Sequence, residues 1–231
     1  MAIPLFLAMT AAEFTHAESM PHHIAWMACH FSPYGTGLTN LPKRLPEGSL
    51  LILNDRTPVS GHDPELIYES LLDTAQKLKC SGILLDFQRP DCEQVGKIIE
   101  RLLTLPLPVA VSDLYGADYD CPVFLSPPKP HKPLADHIAP WQGREIWLEA
   151  ALEGCTITVT ESGSTFTPLS EEADIFPFRD DALHCHYQIE TGKDYAQFSL
   201  QRTQQDITSM LAEAESLGIT RAVGLYQELG R

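Results

Sequence analysis

The sequence predicts an α/β chain folded as an irregular (β/α)8, TIM-type barrel with a small antiparallel β insertion near its seventh strand. Three observations carry that reading. Eight apolar runs of strand length recur along the 231 residues, and helical periodicity fills several of the intervals between them. One run, within SGILLDFQRP at 81–90, ends in an acid and an amide set one pleat apart. Strands alternating with helices imply βαβ units and a parallel sheet, and in such sheets chemistry gathers at the strands' C-terminal ends.

The runs are Ile3–Met9, Ile24–Cys29, Leu50–Leu53, Ile83–Leu85, Val109–Val111, Val123–Leu125, Ile146–Leu152 and Ala222–Tyr226. Between the third and fourth, Asp63–Lys79 places Leu66, Ile67, Leu71 and Leu78 at helical spacing behind an Asp-Pro opening, an N-cap followed by proline in the first turn. Residues 91–105 repeat the pattern behind Asp91, through Val95, Ile98, Ile99 and Leu102. A third helix is expected over 203–217, with Gly218 just past its end. The five prolines of 126–142 predict an irregular crossover instead of a full helix. TITVTESGSTFTPL alternates with period two around Ser162-Gly163, a hairpin signal, and HCHYQIETG adds a third antiparallel strand. The insertion is thus placed at about 153–192 of a single domain covering 1–231.

The formal charge of −15 argues against nucleic acid or an anionic membrane surface as partner. Cys29, Cys80, Cys92, Cys121, Cys155 and Cys185 form no CxxC pair and read as reduced, small core residues. The opening MAIPLFLAMTAAEF imitates a secretory h-region but lacks a basic n-region. It is read as the first strand of a cytoplasmic protein. Nine histidines raise the question of a metal. His184 and His186 share one face of an extended segment, and His22, His23, His62 and Asp63 lie elsewhere, with none of the tight spacings that mark ligand sets. No metal and no cofactor are expected, and no Gly-rich phosphate loop or GxSxG appears.

Leu84, Asp86 and Gln88 share a face of the fourth strand, with the polar pair at its C-terminal end. Asp55 and Arg56 after the third strand and Asp113 and Tyr115 after the fifth belong to the same expected rim. Glu149 on the seventh strand and Tyr226, Gln227 and Glu228 at the eighth join them. Trp26, Tyr115, Trp147 and Tyr226 supply aromatic faces of the kind that stack on pyranose rings. The plainer reading is that Asp86 and Gln88 satisfy neighbouring buried polar groups, and that each aromatic is core.

SGILLDFQRP resembles the fourth-strand motif of glycoside hydrolase family 18, the chitinase and spore N-acetylglucosaminidase family, whose pattern DxxDxDxE is often written DGIDLDWEYP. Gly82, Asp86, Phe87 and Pro90 match; Ser81, Leu84 and Gln88 stand where the pattern has aspartate, aspartate and glutamate. His23-Ile24 resembles the family's second strand and GITRAVGLYQELG its last, with Tyr226 at the place of a sugar-stacking tryptophan. VFLSPP offers only Ser126 where a Tyr-Asp pair is expected. The resemblance implies a barrel in which the glutamate protonates the glycosidic oxygen while the substrate's own N-acetyl oxygen attacks, oriented by the neighbouring aspartate. Glutamine has no ionisable proton to give, and general-acid help is commonly about 10²–10⁴ in rate.

Three functional readings follow. The first is a carbohydrate-binding, non-catalytic barrel that holds a small glycan or amino sugar at Asp86, Gln88 and Tyr226. The second is a divergent glycosidase whose acid has moved to Asp113, Glu149 or Glu228. The third is a protein-interaction scaffold. Oligomeric state is left open.

Overall fold

The structure is a computed structural model and describes residues 3–35, 37–90, 93–169 and 175–230. Asp91 and Cys92 lie outside the described residues, so the expected cap at Asp91 does too.

The strands run in chain order β1 (Leu5–Met9), β2 (Ile24–Phe31), the two-residue β3 (Leu38–Thr39), β4 (Leu50–Asn54), β5 (Gly82–Asp86), β6 (Val109–Ser112), β7 (Val123–Leu125) and β8 (Ile146–Ala150). β9 (Gly154–Thr160), β10 (Gly163–Pro168), β11 (Phe178–Asp180), β12 (Cys185–Thr191) and β13 (Tyr195–Gln201) follow, and β14 (Ile219–Leu225) comes last. One sheet has the order β1-β14-β8-β7-β6-β5-β4-β2, and β1 also pairs with β2. All these pairings are parallel, so eight strands close into a barrel with no free edge. β3 adds an antiparallel edge to β2.

Strand alternation sorts the barrel's side chains into two layers. Phe6, Ala8, Ala25, Leu50, Ile52, Leu84, Ala110, Phe124, Trp147 and Val223 form one buried cluster, to which every barrel strand contributes: this is the lumen. Leu51, Leu53, Ile83, Leu85, Val109 and Val111, of opposite parity, pack outward with Ile67, Leu71, Val95, Ile98 and Ile99. Those last five belong to the helices α2 (Pro64–Leu78) and α3 (Glu93–Leu102).

The crossovers vary in regularity. α1 (Ala11–His16) is a short helix closed by a capping box, in which the Glu13 amide donates to Thr10 Oγ1 at 3.2 Å and the Thr10 amide donates to Glu13 Oε2 at 2.7 Å. α2 (Pro64–Leu78) starts at Asp63, whose side chain accepts from the Glu65 amide, and ends at Lys79 in the left-handed region. α3 (Glu93–Leu102) buries Val95, Ile98, Ile99 and Leu102 at helical spacing. After β6 comes a single turn, α4 (Asp113–Gly116). The proline-rich crossover holds only α5 (Leu134–Ile138) and a 3₁₀ turn at Ala139–Trp141. α6 (Gln204–Ser216) leads to β14, and the four-residue α7 (Tyr226–Leu229) follows it.

The described chain divides into two compact units, and all eight barrel strands lie essentially in one, Pro4–Ser126 with Gly143–Glu149 and Thr220–Arg231. The other comprises Pro127–Gln142 and Ala150–Ile219 with a short N-terminal piece. Within it, β10-β9-β13-β12-β11 form an antiparallel sheet. The expected hairpin is there, with Gly163 opposite Thr160 across the Glu161-Ser162 turn. β13 extends the sheet beyond the expected three strands. Cross-strand register puts Phe166, Ile157, Phe198 and Ile189 on one face, and threonines, glutamines and His186 on the other. A capping box starts α6: Asp206 Oδ2 accepts from the Thr203 amide at 2.9 Å and hydroxyl at 2.7 Å.

Candidate functional site at the C-terminal mouth

Register places His30 beside Asn54 and Asn54 beside Asp86, so three polar residues stand level across β2, β4 and β5 at their C-terminal ends. Asn54 follows the parity of Leu50 and Ile52, and Asp86 that of Leu84; these are lumen residues. The polar row therefore sits on the axis side of the barrel mouth.

Gln88 Nε2 donates to Asp86 Oδ1 at 2.6 Å. The expected acid–amide pair is thus a direct hydrogen bond, with the amide holding the carboxylate. Asp55, one residue past the end of β4, is nearly inaccessible to solvent, and its Oδ2 accepts from the backbone amides of Gln88 at 3.1 Å and Arg89 at 2.8 Å. That carboxylate anchors the turn that presents Gln88. Arg56 is exposed; its amide donates to Asn54 Oδ1 at 3.1 Å and its carbonyl accepts from Arg89 Nη2 at 2.8 Å. Burial pushes the Asp86 carboxyl above the ordinary carboxylate range; the Gln88 amide opposes that rise, and the charges of Asp55 and Asp113 add to it.

On the next strands, Ser112 Oγ donates to the Phe87 carbonyl at 2.7 Å, and Ser126 Oγ donates to Asp113 Oδ2 at 2.9 Å. Glu149 shares the parity of Trp147 on β8 and lies one pleat nearer the C-terminal end. It is half-buried, as are Tyr226 and Glu228 on α7, while Gln227 is exposed. The Tyr226 ring lies against Gly230, where an added Cβ would come within 2.4 Å of it.

Three of the four aromatics expected to face a sugar are turned into the protein. Trp26 is of outward parity; it packs in the outer layer, edge-on to Phe14 at 5.6 Å, and its indole N–H donates to the Asn40 carbonyl at 2.8 Å. Tyr115 also belongs to the outer layer, edge-on to Phe87, with its hydroxyl donating to the Arg89 carbonyl at 2.5 Å. Trp147 does face the lumen, but at the wrong end. Its Cη2 would lie 2.8 Å from a Cβ on Gly82, the first residue of β5, so the ring occupies the N-terminal floor. No side chain larger than hydrogen fits there, which gives the glycine of the motif a packing reason. Arg221 covers the ring at 4.5 Å and donates to the Ser81 carbonyl at 3.2 Å; the indole N–H donates to Glu145 at 2.9 Å.

Sequence reading missed His30 and Asn54. β2 runs to Phe31, two residues past the expected end, with a register shift between Trp26 and Cys29. That irregularity restores His30 to the lumen side, and no simple alternation reveals it. His30 Nε2 is 3.0 Å from Asn40 Nδ2. Beside the mouth, a cleft of about 230 Å³ lies between the β4–α2 and β5–α3 loops, lined by Asp55, Pro58, Val59, Ser60, Arg89, Pro90 and Val95.

The histidines have other partners. His184 Nε2 is 2.5 Å from Glu213 Oε2, and His186 Nδ1 is 2.9 Å from Asp206 Oδ2, which is fully buried with Arg179 bonded to its second oxygen at 3.1 Å. Burial works against the Asp206 charge, yet the Thr203 amide and hydroxyl, with Arg179 and His186, hold its carboxyl below the usual range. His62 is buried between the carbonyls of Val59 and Ser32, each at 3.0 Å, and the His23 ring lies 5.2 Å from Phe6. Among the described residues, no group of three or more His, Cys, Asp or Glu side chains is arranged to hold a metal ion. Burial pushes the Cys29 thiol up to about 12, so it stays protonated and unreactive.

No family model and no curated protein matches the chain. Solved structures do. A glycoside hydrolase family 18 N-acetylglucosaminidase from Paenibacillus barengoltzii aligns over 98% of this chain and 97% of its own, with a TM-score of 0.59 at 10% identity. A chitinase from Chromobacterium violaceum aligns over 96% and 93%, with a TM-score of 0.57 at 10% identity. The spore cortex-lytic enzyme SleL of Bacillus cereus aligns over 96% of this chain and 70% of its own, with a TM-score of 0.55 at 12% identity. The chain shares the barrel fold of these chitinase-like and spore-glycosylase structures, at sequence identities that speak to fold alone.

Proposed function

We propose that the protein binds a small glycan or amino sugar at the C-terminal mouth of its barrel and does not hydrolyse it by the chitinase route. One observation carries this reading: the side chain on the motif's acid position is an amide, and it donates to Asp86 at 2.6 Å. An amide so placed holds a carboxylate and reaches sugar oxygens, but it has no proton to pass to a leaving group. Asp86, Asn54 and His30 offer a lumen-facing row of hydrogen-bonding groups above an apolar shaft, the combination that orients a polar ligand in a largely apolar site. The proteins of like fold named above include an N-acetylglucosaminidase and chitinases, which makes N-acetylglucosamine oligomers the first ligands to test.

A second reading, a glycosidase with a relocated acid, draws support from Glu149, a half-buried carboxylate of lumen parity. Asp113, engaged by Ser126, and Glu228 on α7 are the other candidates. Calorimetric titration with tetra-N-acetylchitotetraose tests the primary proposal. Binding by the wild type, weakened about tenfold or more by Asp86→Ala, is the expected result. Absence of binding to this or shorter oligomers would remove it.

A further inference from the structure

The antiparallel sheet β10-β9-β13-β12-β11 ends in two edges of opposite character. At one, β11 is three residues long, and its Arg179 is ion-paired to Asp181 at 2.7 Å and to Asp206 at 3.1 Å. A short, charged strand of this kind keeps an edge from pairing. At the other, β10 (GSTFTP) is six residues long, exposed along its whole length and uncharged, in a chain of net charge −15. Such an edge is a template for another strand. Its outward backbone groups follow from the ladder. The two-residue Glu161-Ser162 turn makes Thr160 and Gly163 a hydrogen-bonded pair, and such pairs alternate along an antiparallel hairpin. Ser164 and Phe166 therefore turn their N–H and C=O groups away from β9.

We propose that β10 pairs antiparallel with β10 of a second copy of this chain, about a twofold axis at Thr165. Two observations select a second copy over an unrelated strand. The edge is complementary to itself: in this register the amide and carbonyl of Ser164 meet those of Phe166 in the other copy, and the reverse, for four hydrogen bonds. The charges are complementary as well. Antiparallel pairing sends the Glu161 turn of each copy to the Leu169 end of the other, and the two Glu161 carboxylates lie roughly 27 Å apart. That end gathers cations. The Leu169 amide donates to the Gly154 carbonyl at 3.0 Å, beside Glu153, which holds Lys129 at 2.9 Å. The His131 ring lies 5.0 Å from Phe166. Burial, with the charges of Lys129, Lys132 and Arg202, holds the His131 imidazole below its usual range. A six-residue edge is a small interface, so the dissociation constant is expected on the order of micromolar.

Sedimentation velocity of the full chain over a concentration series should show a monomer–dimer equilibrium. Thr165→Lys sets two ammonium groups opposite each other across the axis and should weaken the dimer about fivefold or more, with unchanged far-UV circular dichroism. Thr165 faces its own counterpart at a Cα spacing of about 4.5 Å, within disulfide reach. Thr165→Cys should therefore cross-link to a dimer under mild oxidation. Thr167→Cys, set opposite Gly163, should not, and neither should the wild type with its own six cysteines. A wild type that stays monomeric at every accessible concentration overturns the proposal and leaves the edge to a segment of a different protein. A dimer unweakened by Thr165→Lys overturns it by putting the contact on another surface. Equal cross-linking of the Thr165→Cys and Thr167→Cys variants overturns the register and the twofold axis with it.

Discussion

The two ends of the barrel are built from opposite materials. At the N-terminal floor, Trp147 fills the lumen, Arg221 covers it, and the polar atoms are spent on one another: indole to Glu145, guanidinium to the Ser81 carbonyl, Thr220 to Glu145 at 3.0 Å. At the C-terminal mouth, Asp86 carries an amide on one oxygen, Asp55 and Asp113 stand close enough to raise its proton affinity, and His30 and Asn54 line up beside it. The floor uses polar groups to close a core. The mouth concentrates like charges in a partly buried place, and burial together with Asp55 and Asp113 raises the proton affinity of Asp86.

Perturbing each end separates these roles. The largest effect is expected at the floor. Trp147→Ala removes a fully buried ring and strands Arg221 over a cavity, for a loss of about 3–5 kcal/mol in denaturant unfolding; Gly82→Val, which forces a side chain into the indole, should be comparably damaging. A loss near zero would mean that the floor is not core. An intermediate effect belongs to Asp55→Ala, which leaves the Gln88 and Arg89 amides without their shared acceptor and should cost about 1–3 kcal/mol. The same variant should free Gln88, visible as loss of protection of its amide in hydrogen exchange.

The smallest effect, and the most diagnostic of the mouth, is a pH dependence. The folded-state pKa of Asp86 is raised, so the native protein binds this proton more tightly than the unfolded chain does. Its contribution to stability is fully present below the unfolded carboxylate pKa and is lost as pH rises through the higher folded value. Asp86→Asn should therefore gain stability relative to wild type as pH rises through that window, with the difference shrinking in acid. A variant whose stability tracks wild type at every pH would place Asp86 in open solvent.

How far the sequence foretold this comparison depends on the level asked. The eight barrel strands are legible because each is a compact apolar run, α2 because Asp63-Pro64 opens it, and α6 because its apolar spacing runs up to Gly218. The pleat places Asp86 on the lumen face, but β5 ends there, so Gln88 is not on the strand as expected and reaches Asp86 from the turn that follows, held by Asp55. The roles of the tryptophans did not. Trp26 and Trp147 differ in parity and in height along their strands, and neither is visible without knowing which face is lumen and where the register shift in β2 falls. β13 is hidden for another reason: YAQFSLQ lies past the expected end of the insertion at 192 and runs almost directly into the α6 cap. Asp55 looked like a rim ligand because its partners, two backbone amides thirty-odd residues away, leave no trace in sequence.

Gln88 leaves the motif's acid position without an ionisable proton. The direct measurement is product release from tetra-N-acetylchitotetraose by the wild type, Gln88→Glu and Gln88→Ala, at a concentration where binding is established. The expected result is no release by the wild type or Gln88→Ala, and trace release by Gln88→Glu. That single change restores a proton donor beside Asp86, while Leu84 and Ser126 still stand where the family's pattern is polar. Sustained wild-type turnover that survives Gln88→Ala and disappears on substitution of Asp113, Glu149 or Glu228 would contradict the account and put the acid on that residue.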